Sequence, residues 1–285
     1  VGGMRNLLAA GLFRLWRSKS FYATLAVMAA VGAVEPILGY TAMLDLAAGG
    51  AADAFISLDS RYLLFPFLSG ILLSVFCALF VGAEHSDGAM RNKLAAGHRR
   101  GTVYLSNLIL CVTAGILLCL GYIAAVLAVG IPLLGPLQTP LPLILWYTFC
   151  SVVMTCALAA VFTLAAMLCQ NKAVTAVVCI TLAYFLLFLG IFFNSRLVEP
   201  EIQPERQYVE DGQIVTLPAK PNPSYVRGVK RAVYQLLYDL PGCQTVQLAS
   251  TVDTGAPLRL PLWSLAAAAL STGAGILLFR RKDLK

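Results

Sequence analysis

Six apolar stretches, each about twenty residues or longer, constrain this chain more than any other feature. They run from about Phe21 to Met43, Tyr62 to Ala83, Val103 to Ile131, Leu143 to Leu168, Ala173 to Phe193 and Leu260 to Phe279. Each is long enough to cross roughly 30 Å of hydrocarbon as a helix. Of the 285 residues, 59% are hydrophobic and 12% charged, about half the charged fraction of a soluble domain. The expected fold is an all-α polytopic membrane protein with six transmembrane helices. The net charge of +7 is therefore no signal for nucleic acid; what matters is the side of the membrane on which it lies.

Residues 84–100, EHSDGAMRNKLAAGHRR, form a charged island between the second and third apolar runs. Ser86 is a helix-capping type, and Ala89 to Leu94 are acceptable helix formers. The expectation is a short helix parallel to the membrane from about residue 84 to 94, showing charge to a soluble partner. The competing reading is a solvated loop that only sets topology. Composition alone does not separate the two.

Residues 1–20 supply an entry segment, with Met4 taken as the natural start and no cleavable signal peptide expected. Met4, Leu7, Leu8, Gly11, Leu12 and Leu15 share one helical face, and Arg5, Arg14, Arg17 and Lys19 fall largely off it. This pattern suits a basic amphipathic helix lying in the interface. Residues 21–193 carry the first five spans. Glu35-Pro36 sits in the outer half of the first, where proline bends a helix and a carboxylate is costly unless it faces protein or water. Glu35 either lines a translocation path, or pairs with a neighbouring helix or reaches toward the outer interface. Residues 132–142 hold four prolines and no charge, a stiff turn, and Gln170-Asn171-Lys172 make a very short one.

Residues 194–259 form the sizeable polar region. Arg206 to Pro218, RQYVEDGQIVTLP, reads as a hairpin around Asp211-Gly212. Asn222-Pro223 reads as a helix start, with a helix from Tyr225 to Leu240 that repeats Val226, Val229, Val233, Leu236 and Leu237 at three and four. Pro241-Gly242 stops it. Residues 260–285 are the last span and a basic tail. Seven cysteines fall in apolar runs and only Cys243 in a polar region, so no internal disulfide framework is expected, and a pairing of Cys243 with another chain stays open.

Charge assigns the sides. With the N-terminus in the cytosol, the inner segments hold Arg5, Arg14, Arg17, Lys19, Arg91, Lys93, Arg99, Arg100, Lys172, Arg280, Arg281, Lys282 and Lys285 against Glu84, Asp87 and Asp283. The outer segments hold 8 basic residues against 10 acidic, including Asp45, Asp53 and Asp59. The positive bias falls on the short inner loops, as the positive-inside rule requires. Both termini and the island are expected in the cytosol of a bacterial cell membrane, and residues 194–259 outside.

The EHSDGAMRNKL element, followed by GHRRGTVYLSN, resembles the cytosolic segment after the second span of ATP-binding-cassette type-2 permeases. The entry NLLAAGLFRLWRSKSFY, the six spans, the outward segment before the last span and the ending LFRRKDLK resemble that family over nearly the whole chain. Similar members occur in bacitracin- or lantibiotic-type export and immunity systems of Gram-positive bacteria. The resemblance implies that this segment is a coupling helix seated in a cleft of an ATPase subunit, with Glu84, His85, Ser86, Asp87, Gly88, Arg91, Asn92 and Lys93 in that role. It also implies two separate ATPase subunits that bind ATP and Mg, and a second permease chain, identical or related. The hairpin plus helix before the last span departs from the short segment of many family members and suggests a cap, a gate or a partner-binding surface.

The sequence contains no Gly-Lys dipeptide and so no Gly-x-x-x-x-Gly-Lys-Ser/Thr phosphate loop. No cofactor is expected on this chain. It also lacks Gly-x-Ser-x-Gly and His-Glu-x-x-His elements, and His85 and His98 make a poor metal site, so an enzyme is not expected. The function expected is a permease subunit that exports or extracts a peptide or other lipophilic substrate, with the first, second and fifth spans lining the path and Glu35, Tyr40 and Phe65 as contacts. The alternative is a membrane sensor or immunity protein that binds an outer peptide and transports nothing.

Overall fold

The computed structural model describes residues 2–50, 56–169, 171–210, 213–217, 219–250 and 258–281. Asp53, Gln170, the Asp211-Gly212 turn, Pro218, Asp253 and the tail residues Lys282, Asp283 and Lys285 lie outside them. Helix dominates: α1 (Gly2–Trp16), α2 (Lys19–Ala48), α3 (Leu58–Tyr62), α4 (Phe65–Ser86), α5 (Ala89–Ala95), α6 (Arg100–Leu134), α7 (Leu141–Leu168), α8 (Lys172–Leu197), α9 (Gly228–Tyr238), α10 (Gln244–Ser250) and α11 (Arg259–Arg281). Six helical segments, α2, α3 with α4, α6, α7, α8 and α11, are long and apolar enough to cross a membrane, which marks a multi-pass membrane protein. With six crossings, the start of α2 and the end of α11 share one end of the bundle, here the terminal face; the opposite end is the loop face.

The central helices are α4 and α7. In their most apolar stretches 61% of residues are buried, against 17–28% in the other four spans. The reason is side-chain size. The buried faces carry Ser69, Gly70, Ser74, Cys77, Ala78 and Gly82 on α4, and Ser151, Thr155, Ala157, Ala159 and Ala160 on α7. Lipid tails are as apolar as leucine, so helices associate in a bilayer through close packing and hydrogen bonds, both of which small residues allow. The Ser69 and Thr155 hydroxyls lie 3.3 Å apart between the two helices. Around this pair, α2 packs on α6 and α4, α8 on α4, and α11 on α7 and α6. Gly32 of α2 meets the backbone of α6: a Cβ there would stand 2.8 Å from the Tyr122 carbonyl oxygen.

Helix boundaries differ from expectation in instructive ways. Pro36 does not interrupt α2, which runs 30 residues. Pro132 lies inside α6 and Pro142 in the first turn of α7, so the stiff turn shrinks to residues 135–140. Buried Asp59 of α3 holds that turn, accepting hydrogen bonds from the Gln138 and Thr139 amides at 3.1 and 3.0 Å.

On the loop face the strands form as the alternating pattern predicts. β2 (Arg206–Glu210) pairs antiparallel with β3 (Gln213–Leu217), and a second short pair joins β1 (Ile202–Gln203) to β4 (Lys220–Pro221). The helix expected over 225–240 is shorter, 228–238. Asn222 does not cap it: its amide nitrogen donates back to Glu199 and the Pro200 carbonyl, and its Oδ1 accepts from the Ser224 amide in a local turn. A second helix, α10, had no apolar signature. It packs against α8, α4 and α7, with Cys243, Gln244, Thr245, Gln247 and Leu248 buried. The polar region is thus not wholly a free cap; its second half returns into the loop-face end of the bundle.

Gly32→Ala forces α2 away from α6 and should lower stability by about 1–3 kcal/mol through overpacking, read as a reduced thermal midpoint in detergent. Gly273→Ala adds a methyl that meets nothing within 4 Å, and the midpoint should hold or rise.

Candidate functional site

The charged island divides into an inward and an outward set. The second span extends through the start of it: α4 ends at Ser86, whose hydroxyl donates to the Gly82 carbonyl at 2.9 Å. Ser86 is therefore the last turn of the span rather than the cap of the next helix. Gly88 then takes φ 68°, a left-handed conformation that costs glycine least, and the chain turns into α5. The short helix covers 89–95, not 84–94 or the whole island.

Glu84 is the anchor of the inward set. It is 1% exposed and is met by three elements. Arg14 of α1 pairs with its Oε1 at 2.5 Å, Lys93 of α5 pairs with the same oxygen, and Asn107 of α6 donates to Oε2 at 2.7 Å. Arg14 also lies over the Phe80 ring, 3.8 Å from its centroid. Met90 is buried on the same side of α5. A buried carboxylate is tolerable only when paired and hydrogen-bonded, and here both oxygens are occupied. Glu84 is consequently removed from any contact surface, and Lys93, half-buried, spends its charge on Glu84. Ser86, Asp87, Arg91 and Asn92 are exposed, with His85 and Gly88 half-buried beside them.

The partners of Glu84 escaped sequence reading. Asn107 carried a signal, as an amide four residues into an apolar run must find a partner. Arg14 was assigned to the polar face of α1, and nothing in the sequence tied it to a residue seventy positions away. At the end of the island Arg100 donates to the Phe279 and Arg280 carbonyls at 3.5 and 3.2 Å, joining the start of α6 to the end of α11.

The three residues expected along a path are placed differently. Glu35 pairs with Arg61 at 3.0 Å, the neighbouring-helix alternative, and the Tyr122 hydroxyl donates to the Arg61 carbonyl at 2.8 Å. Phe65 is fully buried between Tyr62 and Tyr122, so it is core and cannot touch a ligand outside the single chain. Tyr40 is half-buried against the core. Cys243 is fully buried as well, out of reach of another chain. Among the described residues no group of three or more His, Cys, Asp or Glu converges as a metal site.

A further buried carboxylate, Asp239, ends α9. It meets Arg259 at 3.1 Å and accepts from Gln235 and Gln247. Burial pushes its carboxyl above the ordinary range, and Arg259 only partly offsets this. No protein-family model matches the sequence, and no curated protein matches it significantly.

Glu84→Ala leaves Arg14, Lys93 and Asn107 facing an empty site. It should cost about 3 kcal/mol, the lower part of the range for a broken buried pair, because Arg14 and Lys93 are partly solvated. Arg14→Ala combined with Glu84→Ala should cost less than the sum of the two single changes, as measured by thermal unfolding in detergent. Asp239 gives a pH signature. Its folded pKa is raised, so its contribution is fully present below the unfolded value of about 3.9 and is lost as pH rises through the higher folded value. Asp239→Asn, the neutral isostere, should therefore flatten the stability profile in that acidic window, matching the unaltered chain at its acid end and exceeding it above the folded value, as read by thermal unfolding against pH.

Proposed function

We propose that the chain is the membrane-spanning permease subunit of an ATP-driven exporter of the ATP-binding-cassette type-2 kind. The observation that carries this reading is the division of the segment after the second span. Ser86, Asp87, Arg91 and Asn92 are presented outward, while Glu84 and Lys93 bind the same segment to α1, α4 and α6. A helix that shows hydrogen-bonding groups to a soluble partner and is fastened by ion pairs to membrane helices can pass a push into the bilayer. The positive bias of the terminal face supports placing it in the cytosol of a bacterial membrane.

On this reading two ATPase subunits bind ATP and Mg and supply the work, and a second permease chain completes the path. The substrate, a peptide or other lipophilic molecule, passes or is extracted along a surface contributed by α2, α4 and α8. Residues 194–259 lie outside. The sensor or immunity alternative draws support from Val229, Val233 and Leu236, which leave an apolar stripe exposed along α9. An ATPase partner separates the two readings.

Purification with the products of neighbouring genes, followed by an ATPase assay, is the direct test. Asp87→Arg with Arg91→Glu should abolish association with the ATPase while leaving insertion intact; normal binding and stimulation by that variant would overturn the coupling role. Sidedness is tested at Asn92→Cys, since Lys93 is engaged by Glu84. The thiol should resist membrane-impermeant reagents in intact cells and react in inverted vesicles, and labelling from outside would reverse the topology.

A further inference from the structure

A cavity of about 380 Å³ opens at the terminal face between the α1–α2 junction, the end of α4 and the start of α8. Its lining includes Arg14, Arg17, Lys19 and Lys172, the hydroxyl residues Ser18 and Ser20, and a single carboxylate, Asp87. Arg14 is committed to Glu84. Arg17, Lys19 and Lys172 form no ion pair with any described carboxylate, although Arg17 stacks on Phe13. The first residues of α2 and α8 both line the space, and helix starts carry partial positive charge. Three cations outside any ion pair, against the single carboxylate of Asp87, and two helix starts around one hollow are a site for an anion.

The floor of the cavity says what bears that anion. Leu79 and Phe80 line it, and Leu79 ends a half-buried stripe on α4 made by Leu68, Leu72, Val75 and Leu79, spaced four, three and four along one helical face. α2 and α8 both pack on α4 and share no substantial contact with each other. A soluble anion needs no apolar track leading from its site into the bilayer, whereas a lipid does. We propose that this cavity binds the phosphate of an anionic phospholipid from the leaflet bordering the terminal face, with an acyl chain laid along the α4 stripe. The inference requires only that the helices span a bilayer and is independent of the transport reading.

The test is native mass spectrometry of the full chain in detergent, titrated with phosphatidylglycerol or phosphatidylcholine. One phosphatidylglycerol should be retained with a preference of about tenfold or more, given the pull of several interfacial cations on an anionic headgroup. Arg17→Gln, Lys19→Gln and Lys172→Gln together should remove most of that preference. Asp87→Asn, which deletes the opposing carboxylate, should strengthen retention, a gain that misfolding cannot imitate. Millimolar inorganic phosphate should not displace the lipid. Equal retention of the two lipids by the unaltered chain, undiminished phosphatidylglycerol binding by the triple variant, or unchanged or weaker retention by Asp87→Asn would overturn the site. Displacement by inorganic phosphate would overturn the lipid assignment in favour of a soluble anion.

Discussion

One buried carboxylate organises the terminal face. Glu84 ends the second span with its charge out of water, a state that costs several kcal/mol unless opposite charge and hydrogen bonds are brought to it. Arg14, Lys93 and Asn107 answer that requirement from three different helices. Because the demand is electrostatic and local, it ties the entry helix, the short helix and the third span to the second at one point. Through Glu84, α5 is joined to both α4 and α6.

The interior of the bundle relies on a different principle. α4 and α7 come together with serine, threonine, glycine and alanine among their buried residues, and Gly70 of α4 leaves the space that Leu158 of α7 fills. Polar groups at the loop face finish the job. Asp59 holds the turn before α7, Glu35 pairs with Arg61, and Tyr62 shares a hydrogen bond with Thr148. Each places a charge or hydroxyl where a partner from another helix, or for Asp59 from the turn before α7, removes the penalty of burying it.

The outward-facing charges and the basic cavity share the terminal face and divide its chemistry. Asp87 belongs to both, exposed beside Arg91 and also lining the hollow that Arg17, Lys19 and Lys172 make positive. Positive-inside bias is usually understood as a topological signal. On the terminal face such residues also border a hollow, because the α1–α2 break sets Arg17 and Lys19 beside Lys172 at the start of α8.

By itself the sequence determined the six crossings, the hairpin strands and the position of a charged segment between the second and third spans. These follow from local quantities: the length of an apolar run, alternation of side chains, and the sign of charge between runs. The tertiary structure alone decided which charges face outward. Glu84 and Lys93 look no different in sequence from Asp87 and Arg91, yet one pair is sequestered and the other presented, since the choice depends on Arg14 and Asn107 arriving from distant positions. It likewise decided that Phe65 is core and that α10 returns into the bundle, where Gln244 and Gln247 are buried because Ser264, Asp239 and the Leu260 carbonyl satisfy them. Hydropathy describes what a residue costs to bury alone; only the assembled helices supply the partner that cancels the cost.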